Sequence, residues 1–440
     1  MRPANHRVII VALMGLLLSS CASIGLDKKS TSEPLATLSK FVPKDGRIVD
    51  GFGWYARDLK LYESEFPEIP PYSAQLMFGL KGHQKRGVNT LKHHMERYPD
   101  KVIHFSFGFD SMEELIPKGE KDHILKDIGN LFLESNRPIY LRIGIEPNGF
   151  WNKYENPADF VAAYRYMVDF WDNMGVTNVA YIWNVHIMDK HLAYMEWYPG
   201  DNYVDWWSHE ILGPASDPDW NHDSPSTLQT RAFCRDAVSR GLPVALAEVT
   251  AWHTGVAEGQ VSWDKWFDGF FNHVNNPEYG LKAYWYMPLD WSTVKGSWTQ
   301  NADGRPSANP VVKANWLAEL KKPQYLHATQ PLDLDVIGWP VESVAPADVE
   351  NLKVNVTYEG VRLSWKNPGD KDLKGIKVLR QEGRPPKGPR DTEAIQIHNG
   401  PASTTIVLDT SAQHGREYYY GVYAYDPVRN YAPGIVKTAR

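Results

Sequence analysis

Eight short apolar runs recur between Asp45 and Pro323, and amphipathic segments separate several of them. The runs fall at 48–55, 74–77, 102–107, 138–145, 178–184, 203–207, 243–249 and 282–287. Their lengths and their β-branched and aromatic content suit strands, whereas 156–174 and 226–240 carry apolar residues at helical spacing. Asn156 followed by Pro157 reads as a helix cap with proline at the first helical position. Strand and helix alternating over roughly 280 residues predicts a (β/α)8 TIM barrel, for which about 250 residues is typical. An open, doubly wound sheet is the competing layout, but no Gly-rich phosphate loop follows the first run.

The flanking segments read differently. Residues 324–347 are rich in Pro, Ala, Leu and Asp without helical period and predict a linker. Residues 348–440 hold short alternating runs parted by Gly, Pro, Asn and Asp turns, the spacing of an all-β immunoglobulin-like sandwich. Trp365 and the tyrosines of 417–425 resemble the core pattern of a fibronectin type III domain. At the N-terminus Arg2 and Arg7 precede the apolar run 8–18, a signal peptide too short to span a membrane (1–20). Leu18-Ser19-Ser20-Cys21 resembles the bacterial lipobox, which implies lipid on Cys21, a tether over 21–44 and a place in the cell envelope, at the outer membrane or surface. Cys234 is then the remaining cysteine, so the fold rests on its core rather than on a disulfide.

Composition narrows the ligand. A net charge of −6 argues against nucleic acid, while 17 Trp and 23 Tyr exceed what cores need and suit a groove for sugar rings. The strand at 138–145 runs out into Glu146-Pro147-Asn148-Gly149-Phe150-Trp151-Asn152, placing a carboxylate at a strand end beside a Trp. In a barrel of this kind chemistry sits at the C-terminal strand ends, so Asp110, Glu210 and Glu248 are the candidate partners of Glu146. Glu248 closes the apolar run Pro243-Val-Ala-Leu-Ala, and an acid there must face something polar. Glu146 and Glu248, after the fourth and seventh strands, are the expected catalytic pair.

On these residues the barrel resembles glycoside hydrolase family 26, of the retaining (β/α)8 clan. Arg142 and Trp151 stand at the family's offsets from the acid/base, 198–206 resembles its sixth loop and strand, and 178–183 its fifth strand. The resemblance implies Glu248 as nucleophile, Glu146 as acid/base, and carboxyl groups about 5–5.5 Å apart, with a glycosyl-enzyme between the two steps. It implies a β-linked extracellular polysaccharide as substrate, with Arg142, Trp151, Asn152, Trp183, Trp285, Tyr286 and Trp291 as contacts. Ile145 stands where mannan-cleaving members carry His, and 206–211 offers no clean counterpart of their Tyr after strand six, which points to another β-glycan such as xylan or galactan. No cofactor is expected, and no metal set at short spacing is visible: His186 and His191 have no partner carboxylate nearby in sequence. The expected protein is a lipid-anchored monomer. The competing class is a glycan-binding lipoprotein that has lost turnover.

Overall fold

The computed structural model describes residues 38–440 except 54–55, 81–83, 110, 150–151, 153, 155, 188–192, 212–224, 295–301 and 343. The signal peptide, Cys21 and residues 22–37 of the tether therefore lie outside the described residues. No helix among the described residues is long and apolar enough to cross a membrane.

The eight parallel strands are β1 (Ile48–Phe52), β2 (Ser73–Gly79), β3 (Val102–Gly108), β4 (Ile139–Ile143), β5 (Val179–Val185), β6 (Trp206–Ile211), β7 (Val244–Val249) and β8 (Leu281–Tyr286). Each pairs with the next, and β1 pairs with both β8 and β2, which closes the barrel. Helices α1 (Ala56–Glu65), α2 (Gln84–Arg97), α3 (Asp122–Ser135) and α4 (Pro157–Asn173) follow β1 to β4, and α5 (Pro225–Ser239) follows β6. The short α6 (Gln260–Ser262) continues through a π turn at Trp263–Phe267 into α7 (Asp268–Val274), and α8 (Pro310–Leu320) completes the ring. The cap expected for α4 is present: the Asn156 side chain accepts from Ala158 N, with Pro157 opening the helix.

Alternation along the strands sorts the side chains. Outward residues such as Leu141, Trp183, Trp207 and Tyr286 join the main core beneath the helices, while Val49, Tyr140, Ala180, Trp206, Ala245 and Trp285 fill the lower barrel. Higher in the barrel the inward positions turn polar: Gln75, Ser106, Arg142, Asn184, Ser208, Glu210 and Glu248 are all buried. Buried polar groups persist where they bond one another, and these do.

Residues 324–347 differ from the linker expected above. β9 (Tyr325–Leu326) pairs with β1, and Leu326, Val336 and Ile337 pack with Phe41 and Val42 against the lower barrel. Apolar side chains spaced without helical or strand period still bury themselves when a neighbouring surface accepts them. The C-terminal module is a sandwich of a three-stranded sheet, β10 (Glu350–Thr357), β11 (Gly360–Lys366) and β14 (Ile406–Asp409), and a four-stranded one. The latter runs β13 (Ile395–Pro401), β12 (Gly375–Glu382), β15 (Tyr418–Tyr425), β16 (Ile435–Ala439). Trp365 and Tyr420 sit in its core, and Tyr418 OH accepts from Gln413 N at 3.4 Å, as in the tyrosine corner of such sandwiches.

Candidate active site

The barrel mouth is built by local backbone devices that aim three carboxylates inward. β4 gives way to Gly144, whose φ of +73° suits glycine, and a Cβ there would lie 2.3 Å from the Phe160 ring. Glu146 follows at φ +42°, a conformation that non-glycine residues rarely adopt. The surrounding bonds over-determine it. Glu146 N donates to Asn184 Oδ1 at 3.1 Å, Ile145 N to Tyr154 OH at 3.3 Å, and Asn152 Nδ2 to the carbonyls of Ile145 (2.9 Å) and Glu146 (3.2 Å). Asn152 Nδ2 also reaches Glu146 Oε2 at 3.4 Å. Strain held in this way clusters at functional sites.

Glu248 is aimed by a different device. Leu246 pairs with His209 and Glu248 with Glu210, leaving Ala247 as an extra residue in β7. Leu246 and Val249 both face the helices, so strict alternation would have turned Glu248 outward with Leu246. The bulge re-aims it, and Gln75 Nε2 donates to the bulged Ala247 carbonyl from across the barrel at 3.0 Å.

Arg142 ties the cluster together. Its Nη1 donates to Glu248 Oε1 at 2.5 Å and its Nη2 to Glu210 Oε1 at 2.8 Å, with the guanidinium fully buried. Burial works against the cation, but Glu248, Glu210 and Glu146 outweigh it and raise its pKa. Glu210 moves the other way from a normal carboxylate: burial, then Glu146 and Glu248, push it well up despite Arg142. The shift favours the protonated form of Glu210, which leaves more of the guanidinium charge to Glu248. On the opposite side His186 Nδ1 lies 3.3 Å from Glu146 Oε1. Asn148 fixes His186 by bonding both its carbonyl (2.6 Å) and its N–H (2.9 Å).

The structure thus brings Glu248, Arg142 and Glu210 into direct contact, and Asn152 onto Glu146. Trp151, like Asp110, lies outside the described residues. The remaining sugar contacts expected from sequence need correction. Trp183 is outward-facing, packed on Tyr198 and Trp207 with its Nε1 on the Trp197 carbonyl, because its neighbours Ile182 and Asn184 take the inward positions. Tyr286 is also outward, against Trp316, and donates to the Gly304 carbonyl. Trp285 does point inward, but it fills the barrel below the site, 3.9 Å from the His104 ring and bonded to Ser73 Oγ. Trp291 stacks on Trp252 at 4.5 Å and donates to Thr250 Oγ1. All four are at most 2 % exposed and offer no ring face to a ligand.

Sequence reasoning missed Asn184 and Asn148, and it passed over His186 because the partner carboxylate lies forty positions upstream. Asparagines at the ends of neighbouring strands are the signal that could have found them. Among the described residues two sets could hold a metal: Glu146, His186 and Glu210 place ligand atoms within 4.8 Å of one another, as do His209, Cys234 and His273.

The chain is similar to glycan-cleaving enzymes. A β-1,3-xylanase of a Vibrio species is 23% identical over 268 residues, 56% of this chain and 57% of its own length. A β-1,3-xylanase of an Alcaligenes species is 22% identical over 56% of both chains. The match thus spans a little over half the length of these curated relatives. Among solved structures, a double mutant of the Cellulomonas fimi endo-β-1,4-mannanase aligns at a TM-score of 0.48 and 16% identity, over 89% of this chain and 93% of that one. The catalytic domain of a family 26 endo-β-1,4-mannanase from Bacillus sp. JAMB-750 aligns at 0.49 and 14%, over 66% and 89%. No family model matches the chain.

Proposed function

We propose that the chain is a retaining glycoside hydrolase that cleaves a β-linked extracellular polysaccharide. One observation carries this reading: Glu146 and Glu248, from the C-terminal ends of β4 and β7, enter the same polar barrel mouth and both act on the Arg142 charge. The Glu248 carboxylate attacks the anomeric carbon as the glycosidic C–O bond breaks, and Glu146 gives its proton to the leaving oxygen. Glu146 then takes a proton from the water that breaks the glycosyl ester and restores Glu248. Arg142 keeps the nucleophile ionised, and the upward shift of Glu210 favours the form that leaves that ion pair undivided. His186 and Asn152 position the Glu146 carboxyl. A metal held by Glu146, His186 and Glu210 would occupy the oxygen that must donate the proton, so the hydrolytic reading assigns none there.

The substrate we favour is β-1,3-xylan. Two of the curated relatives carry that activity in their names, and Ile145 replaces the histidine expected of a mannan-cleaving enzyme. The lipobox-like Leu18–Cys21 supports a lipid-anchored form in the cell envelope, and a monomer suffices because one chain supplies the whole acid set.

The test is a panel of β-1,3-xylan, β-1,4-xylan, mannan and galactan, with anomeric NMR on whichever is cut. Initial release of the retained β-anomer is expected. Release of the inverted anomer would remove Glu248 as nucleophile, and no release from any glycan would sink the hydrolase reading in favour of a binding lipoprotein. Glu248→Ala should lower kcat by about four orders of magnitude or more. Azide should restore part of that rate by forming the α-glycosyl azide.

A further inference from the structure

We propose that His209, Cys234 and His273 form a structural Zn2+ site behind the barrel wall. The three come from separate elements, β6, α5 and α7, and each offers a ligand atom within 4.8 Å of the other two. No short-spacing motif joins them, which is why the sequence gives no hint of the set. His209 and Cys234 are fully buried and His273 is 3 % exposed.

The chemistry of the donors fits a borderline-soft cation. Cys234 Sγ lies 4.0 Å from His273 Nε2. Tetrahedral Zn2+ places a thiolate sulfur and an imidazole nitrogen about 3.6 Å apart, so this pair is near ligand spacing and the set supplies three of the four corners. His209 Nδ1 faces the Glu210 carbonyl at 3.3 Å, which puts the proton on Nδ1 and leaves the Nε2 lone pair free. That Nε2 is buried and has no hydrogen-bond partner among the described residues. A metal-bound imidazole has the same arrangement, one nitrogen on the ion and the other N–H on a carbonyl. Burial keeps both imidazoles neutral, His209 being pushed down to about 4. Burial also keeps the Cys234 thiol protonated when no cation is present, so binding would release its proton to solvent.

The location gives the ion a purpose. His209 precedes Glu210 in β6 and pairs with Leu246 immediately before the β7 bulge that turns Glu248 inward. Fastening His209 to α5 and α7 holds this segment against the helices, so that bulge and acids keep one register.

Because the set is buried, the ion must enter during folding, and the experiment uses full-length protein made in zinc-replete or cobalt-replete medium. Wild type is expected to retain one equivalent of metal after gel filtration with a weak chelator. The cobalt form should show a thiolate-to-metal charge-transfer band, and the zinc form a higher Tm than protein made under zinc depletion. Cys234→Ser should lose the band and at least tenfold in affinity. Glu146→Gln should keep both, which separates this site from the acids at the mouth and makes the outcome independent of hydrolysis. Wild type with no more bound metal than Cys234→Ser, or bound cobalt without the thiolate band, would overturn the proposal.

Discussion

Two buried ionic clusters in this protein are built on opposite ratios. Where the sandwich docks on the barrel, cations converge on one carboxylate. Asp172, at the end of α4, meets Lys377 at 3.4 Å and Arg390 at 3.3 Å, and accepts a bond from Tyr431 OH. Burial alone would raise the Asp172 pKa, but Lys377, Arg429 and Arg390 hold it below the usual value. At the barrel mouth the ratio is reversed, since one guanidinium serves Glu248 and Glu210 and also feels Glu146. Excess cation makes an acid permanently ionised, which suits a joint. Excess carboxylate forces one acid to keep a proton, which suits a site that must hold and move one. The C-terminal module is accordingly a docked part of the molecule, with Lys374 Nζ also donating to the Leu38 and Val204 carbonyls.

The comparison breaks most visibly at Arg142. Arg142→Met removes the single cation from three buried acids, and kcat/KM should fall at least about a hundredfold, the effect of the roughly 3–5 kcal/mol that unpairing a buried charge costs. A variant with near-normal activity would show that the guanidinium is structural only. At the other cluster, Asp172→Ala removes the carboxylate that Lys377 and Arg390 share and should cost about 3 kcal/mol in urea unfolding, with kcat unchanged. The pH dependence has a definite sign. A depressed folded-state pKa contributes stability above the unfolded value of about 3.9, and that stability is lost as pH falls through the folded one. The wild-type urea midpoint should therefore drop below about pH 4, and Asp172→Ala should lack that component. The smallest change is expected for Glu210→Gln, since Gln copies a protonated Glu. Its kcat/KM should stay within about tenfold of wild type, whereas an ionised Glu210 would make the same substitution as damaging as unpairing a buried charge. Equal losses in Glu210→Gln and Glu210→Ala would therefore contradict the protonated state.

Much of this architecture was readable in the chain. The eight apolar runs gave every barrel strand, and Asn156-Pro157 gave the start of α4. Boundaries shifted where turn chemistry intervened. The sixth run was expected at 203–207, but Tyr203 N closes a turn on the Gly200 carbonyl and the strand occupies Trp206–Ile211, which brings Glu210 inside it. Aromatic residues misled most, because Trp183, Trp285, Tyr286 and Trp291 look alike in sequence whether they fill a core or floor a groove.

What the sequence determined by itself is the number and order of the strands and which acids end them, since both follow from local periodicity and from the cost of burying a carboxylate without a partner. What only the tertiary structure decided is where those acids point. Glu248 faces Arg142 because Ala247 adds one residue to β7 against β6, and Glu146 holds its left-handed backbone because Asn184 and Asn152 bond it from outside its own strand. A register and a long-range bond are properties of two segments at once, and no single stretch of chain encodes either.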